Sequence, residues 1–254
     1  MKKFLAILLA AVLCFALAAC GGGGTEETTV ADETTVAEKA DMADVKMGLI
    51  CLHDENSTYD ANFIQAAKAA SEELGFELVI KVNIPEDDTC AQAAEELAED
   101  GCDVIFADSF GHETYVMAVA EEYPEVEFCH ATGTNAHTSD IANFHNAFAS
   151  IYEGRYLAGI AAGMKINEMI EAGKFTAEEA KMGYVGAYPY AEVISGYTSF
   201  YLGAKSVCPT VTMDVKYTNS WFDIALEKEA ADALISADCI LISQHADSEG
   251  APKA

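Results

Sequence analysis

The sequence predicts an α/β chain of two lobes, each a doubly wound parallel sheet. Three observations carry this. The strand-like segments are continuous apolar runs, as in "MGLICL" and "DVIFAD", rather than alternating ones. Such runs belong to strands buried on both faces, the usual state of parallel sheets. Amphipathic helical segments separate them. The alternation then occurs twice, with a break near residues 145–150.

In chain order, the first element is an address. Lys2 and Lys3 precede an uncharged apolar run, Phe4 to Ala19, and "LAAC" ends it at Cys20. The run has the length of a secretory h-region and is short for a membrane span. The order of charge, apolar run, small residues and cysteine resembles a bacterial lipoprotein signal, so residues 1–20 are expected to be a signal peptide and Cys20 the lipidated residue. Acyl chains at ~0.8 kcal/mol per buried CH₂ would hold the protein to a membrane without a spanning helix. Residues 21–44 repeat "EETTVA" and "DETTVA", lack aromatic residues and show no period. This composition predicts a disordered acidic linker.

Residues 45–147 form the expected first lobe. "VKMGLICL" is a strand, and "NFIQAAKAASEELG" is a helix stopped by Gly75. Then follow strand "FELVIKV", helix "CAQAAEELAEDG", strand "DVIFAD" and a helix, "ETYVMAVAEEY", that stops before Pro124. "VEFCHA" is the next strand, and "IANFHNAF" closes the series. Residues 148–254 form the expected second lobe. It opens with the small-residue helix "YEGRYLAGIAAGMKI", and "MGYVGAY", "EVISGYTSFYLGAKSV", "TVTMDVKY", "DIALEKEAADALIS" and "CILISQH" continue the alternation. "NEMIEAGKFTAEEAK" reads as an extra helical hairpin on that lobe's surface.

Composition narrows the partners. Fourteen Lys and Arg face 42 Asp and Glu, for a net charge of −28, and Arg155 is the only arginine. Nucleic-acid binding needs clustered cations to displace phosphate counterions, so no nucleic acid is expected as partner. Arg155 itself is expected to pair with acidic surface near Glu153. Of eight cysteines, Cys14 lies in the signal and Cys20 at its end. The other six form no C-x-x-C and sit in or beside apolar runs, which predicts small buried hydrophobes, with one disulfide left open.

Open parallel sheets bind ligands beyond the carboxyl ends of their strands. Those positions hold "HDENSTYD", "DSFGHE", and then His130, Thr132 and Gly133 in the first lobe. In the second they hold Tyr188, Tyr190 and Glu192, then "TNSWFD", then "QHADSEG". Aromatic faces beside Asp, Asn, Ser and His suit a flat, polar, largely uncharged molecule.

These segments carry a resemblance. "SFGHE", "EYPEVEFCHATG", "IYEGRYLAGIAAG", "MGYVGAYPYAEVISGYTSFYLGAKSV", "NSWFD" and "QHADS" together resemble the basic membrane protein family. That family comprises lipid-anchored purine- or nucleoside-binding proteins of ABC importers. The resemblance implies a type I periplasmic-binding-protein fold, with a purine sandwiched between aromatic rings and transporter permease subunits as partners. By matching position, Tyr59 is the expected first-lobe stacking aromatic. Asp60 stands where many relatives have Asn or Thr. Ser109 and Phe110 line the cleft from the first lobe. Trp221 and Asp223 belong to the second-lobe "SWFD", and His245 and Asp247 to the second-lobe rim. The subgroup features lean towards a free base such as adenine. The resemblance also implies a C-terminally truncated chain, because the family continues after "QHADSEG" with a helix, a strand and a return to the first lobe.

Alternatives remain at several positions. Tyr59 is also compatible with a surface turn, Trp221 with a core anchor, and Asp223 with an N-cap of the helix that follows it. A metal-binding importer component would use His53, His130 and His245, each of which follows a strand. A sugar ligand fits the same fold. Neither a metal nor another cofactor is expected. Nor is an enzyme: no G-x-S-x-G or Walker loop occurs, and H-E-x-x-H fails because Val116 stands where the second His belongs.

Overall fold

A computed structural model describes residues 42–254. The expected signal peptide, Cys20 and nearly all of the linker lie outside the described residues.

The first sheet is built from β1 (Lys46–Ile50), β2 (Glu77–Lys81), β3 (Val104–Ala107), β4 (Glu127–His130) and β5 (Phe144–Asn146). All pairs are parallel, in the order β2-β1-β3-β4-β5. Helix α1 (Thr58–Leu74) covers one face, packing Ile64 and Ala67 on Leu49 and Cys51. Helices α2 (Asp88–Glu99) and α3 (Glu113–Glu122) cover the other, where Leu97 and Val116 meet Ile50, Ile105 and Phe128. Local chemistry sets the helix ends. Ser57 accepts the Asp60 N–H at the start of α1, and Gly75 closes it at φ 88°, a left-handed turn that glycine enters without a Cβ penalty. Asp87 caps α2 by accepting from the Thr89 N–H.

The second sheet holds β6 (Lys181–Gly186), β7 (Thr212–Tyr217) and β8 (Leu241–Gln244), parallel in the order β7-β6-β8. Helices α4 (Ile151–Glu171) and α5 (Ala191–Val207) lie on one face, where Ile166 and Phe200 pack with Met182 and Tyr184. Helix α6 (Ile224–Ser236) lies on the other, where Ala231 and Leu234 pack on Val185. Glycines bring α4 and α5 into backbone contact. A Cβ on Gly159 would lie 2.0 Å from the Phe200 carbonyl oxygen, and one on Gly203 would lie 2.1 Å from that of Tyr156.

One expectation is corrected. "NEMIEAGKFTAEEAK" is not a helical hairpin. Its first half is the end of α4, which runs unbroken to Glu171, and the rest is a turn at Gly173 and one 3₁₀ turn, Ala177–Glu179. The helix continues because Ile166 is fully buried and Asn167, a residue that reads as a breaker, donates its side-chain amide to the Val207 carbonyl. Of the six cysteines, Cys129 is half-buried and the others are buried, all as free thiols.

No helix among the described residues is long and apolar enough to cross a membrane.

Candidate functional site

Because every strand is parallel, the carboxyl ends of each sheet share one edge. The loops after β1, β3 and β4 meet those after β6, β7 and β8 around a cavity of about 250 Å³. Seven of the eight residues expected from the sequence line it: Tyr59, Asp60, Ser109, Phe110, Trp221, His245 and Asp247. Asp223 does not. Its carboxylate accepts the Ala225 and Leu226 N–H groups and caps α6, the other role its position allows.

Tyr59 and Asp60 enter from the first turn of α1. The Tyr59 hydroxyl donates to the Asp108 carbonyl at 2.8 Å, and its ring lies 4.9 Å from that of Phe63. This bond fixes the phenol as wall rather than as a free donor. Asp60 is almost fully buried and accepts the His53 N–H at 2.8 Å and the Ser57 hydroxyl at 2.5 Å. Burial alone would raise its carboxyl, but the bonds from His53 and Ser57 outweigh it and hold Asp60 below the usual carboxylate range. Asp108, directly behind, shows the opposite balance. Its complete burial and the Asp60 charge push it well above that range.

The second-lobe wall is acidic as well. His245 Nε2 lies 2.8 Å from Glu192 Oε2, and its other ring nitrogen lies 3.4 Å from the Tyr184 hydroxyl. A Cβ on Gly196 would come within 3.0 Å of the His245 ring, so glycine there makes room for it. Burial pushes the Asp247 carboxyl up to about 8, and the Asp60, Glu227 and Glu192 charges add to this, while Arg155 opposes it. This balance favours the protonated form of Asp247, which would donate a hydrogen bond, whereas Asp60, held in its charged form, accepts one.

Aromatic rings close one end. Phe110 from the β3 loop stacks on Tyr190 at 4.8 Å and 21°, and Tyr190 stacks on Tyr188 at 5.0 Å. Trp221 leans on both tyrosines, and its indole N–H donates to Glu86 at 3.2 Å. Ser109 Oγ also donates to Glu86, so its hydroxyl is already engaged.

Arg155 departs from expectation. It reaches into the cavity wall instead of pairing with surface acid, because α4 starts beside the ends of the second-sheet strands. Its Nη1 donates to the Gln244 carbonyl at 3.1 Å, and its buried Nε has no partner in the protein. Thr132, outside the set of site residues expected from the sequence, is a second such case. It lines the cavity at φ 64°, a left-handed conformation that a β-branched residue rarely adopts, with a buried hydroxyl lacking a protein partner.

The three histidines take separate partners. His53 meets Asp60, His245 meets Glu192, and His130 donates to the Ser109 carbonyl from full burial. Among the described residues, the group close enough to share an ion is Cys51, Asp60 and Asp108, and it contains no histidine. His112 and Glu113 are buried braces: His112 bonds the Ile84 carbonyl, and Glu113 accepts from Asn135 and Asn146.

Comparison with known proteins gives the chain's family. Residues 49–253 match the model of the Bmp family, described as ABC transporter substrate-binding protein PnrA-like. The chain belongs to the Bmp family. A curated relative, a purine-binding protein of Brucella abortus, is 37% identical over 189 residues, which cover 74% of this chain and 50% of the relative. A protein of Haloferax volcanii, named as a "Putative ABC transporter glucose-binding protein", is 40% identical over 160 residues, covering 63% of this chain and 37% of that one. The chain thus spans half or less of the length of these two relatives. In fold, the Bmp chain is similar to an ABC transporter solute-binding protein of Aeropyrum pernix. The TM-score is 0.70 at 18% identity, covering 82% of this chain and 58% of that one. This likeness establishes the periplasmic-binding-protein-type fold, with parallel sheets. The Bmp family is one of transport substrate-binding proteins, and an extracytoplasmic location follows from membership.

Proposed function

We propose that this Bmp-family chain captures a purine base or nucleoside between its two lobes, as the lipid-anchored binding component of an ABC importer. The observation that carries this reading is the composition of the cavity wall. Tyr59 and Phe63 from one lobe, Trp221 from the other, and Phe110 at the rim present ring surfaces. Around them stand the Asp60 carboxylate, the Asp247 carboxyl with its raised pKa and the Arg155 guanidinium. A purine has π-faces for the rings and alternating donors and acceptors on its edge for these groups. The purine-binding relative from Brucella agrees with it. Anchoring through Cys20 and delivery to permease subunits complete the proposal.

A sugar is the second reading, supported by the relative named for glucose and by the carboxylates and imidazole that suit hydroxyl groups. Calorimetry on the purified full chain with adenine, guanosine and glucose separates the two. Saturable binding of adenine or guanosine is expected. Binding of glucose alone would overturn the purine assignment.

A further inference from the structure

We infer that Glu86 is a positioning residue that clasps the two lobes across the cleft, holding Trp221 at its place in the cavity wall. Glu86 sits on the loop between β2 and α2 and is not itself a lining residue. One of its oxygens, Oε1, accepts three hydrogen bonds: Ser109 Oγ at 2.7 Å, the Gly111 N–H at 2.7 Å and the Trp221 indole N–H at 3.2 Å. The first two come from the β3 loop of the same lobe. They orient the carboxylate whatever the second lobe does. Gly111 permits this: a Cβ there would lie 2.4 Å from the Glu86 carboxyl carbon. The third bond comes from the second lobe. The acceptor is thus built in advance, and the indole N–H, a donor only, docks onto it when the lobes meet.

The neighbouring contacts have the same polarity. Phe110, carried by the loop that Glu86 braces, stacks on Tyr190 of the second lobe at 4.8 Å, and Trp221 leans on Tyr188 and Tyr190. At the other side of the cavity Thr58 Oγ donates to the Asp247 carbonyl at 2.9 Å, again from one lobe to the other. Among these crossings the Glu86 bond joins a charged acceptor to a ring that lines the cavity. It therefore couples closure to the shape of the wall: losing it frees Trp221 without removing any lining atom. A ligand held behind that ring then escapes faster.

The ligand arm of the test rests on the purine reading, and the ligand-free arm does not. Trp221 is the only tryptophan in the chain, so fluorescence of the purified full chain reports on it alone. In the absence of ligand, Glu86→Ala should red-shift the emission and raise its quenching by acrylamide. With adenine, stopped-flow dissociation should quicken about tenfold, the ratio that ~1.4 kcal/mol of a charge-assisted bond corresponds to. Association should change far less. Glu86→Gln, which keeps the oxygen but not the charge, should fall between. Trp221→Phe keeps a ring and deletes the donor. By calorimetry, adding Glu86→Ala to it should weaken adenine binding much less than Glu86→Ala does alone, because the partner is already gone. Additive losses would overturn the clasp, as would unchanged emission and quenching in Glu86→Ala, or in Glu86→Gln if the alanine variant fails to fold. If the parent binds no adenine while Glu86→Ala still exposes the indole, the purine reading fails and the clasp stands.

Discussion

The protonation of Asp247 gives a stability signature that can be measured without knowing the ligand. Its carboxyl is raised from an ordinary 3.8 to about 8, first by burial and then by the Asp60, Glu227 and Glu192 charges, against the opposing pull of Arg155. A carboxyl raised in the folded state contributes stability that is fully present below its unfolded value and is lost as pH climbs to the folded one. The lower part of that interval is obscured, because burial lowers His112 and His130 from an ordinary 6.5 and so destabilises the fold in acid. Above pH 6.5 the Asp247 contribution overlaps that of Asp108, whose carboxyl is raised as well, so it is read as the difference between the parent and an Asp247→Asn variant. From there to pH 8 Asp247 holds up to one extra proton in the folded chain, or ~1.4 kcal/mol per pH unit. Over the interval that is at most ~2 kcal/mol, which for a chain of this size lowers Tm by at most ~8 °C. Asp247→Asn keeps the shape and removes the titration. Thermal unfolding of parent and variant at half-unit steps is expected to show the parent falling more steeply, with the two curves becoming parallel about one unit above pH 8. Equal slopes from pH 6.5 to 8 would refute the claim that Asp247 is protonated in the folded chain.

Four further outcomes are expected. Tyr59→Ala and Trp221→Ala should each weaken adenine or guanosine binding by ~1–3 kcal/mol in calorimetry, the range of base–aromatic stacking. Gly203→Ala should destabilise the fold by ~1–3 kcal/mol in denaturant titration, since its methyl would meet the Tyr156 carbonyl oxygen at 2.1 Å. Asp223→Ala should cost ~1 kcal/mol of stability through loss of the α6 cap and leave ligand affinity unchanged, because Asp223 is not a lining residue. Cys20→Ser should abolish incorporation of a palmitate analogue in metabolic labelling, and label retained by the variant would overturn the anchor.

The parallel sheets could be read from the sequence because burying a strand on both faces removes its polar alternation, and "MGLICL" and "MGYVGAY" show that directly. The rim followed from chain geometry, since every parallel strand delivers its next loop to the same edge. Side-chain reach was not legible in this way. Glu86 lies in "PEDD", where one bridging carboxylate looks like its solvated neighbours. Arg155 lies on a helix whose surface position depends on where α4 starts relative to β8, a tertiary fact. Thr132 gives no warning of a left-handed backbone, because β-branched residues argue against one. The length of α4 is hidden for a related reason: Asn167 is tied by its side chain to Val207, a residue of another helix.

The acid around the cavity also bears on the charge of what could bind there. Asp60 and Glu192 face the space with Arg155 as the only guanidinium in the chain, itself bonded to a backbone carbonyl. A phosphate group entering beside them would exchange its water for Asp60, for Glu192 with its His245 partner and for one partly engaged guanidinium, in a confined region where like charges repel strongly. If the ligand is the proposed purine base or nucleoside, its phosphorylated forms are expected to bind more weakly than the neutral ones in calorimetry.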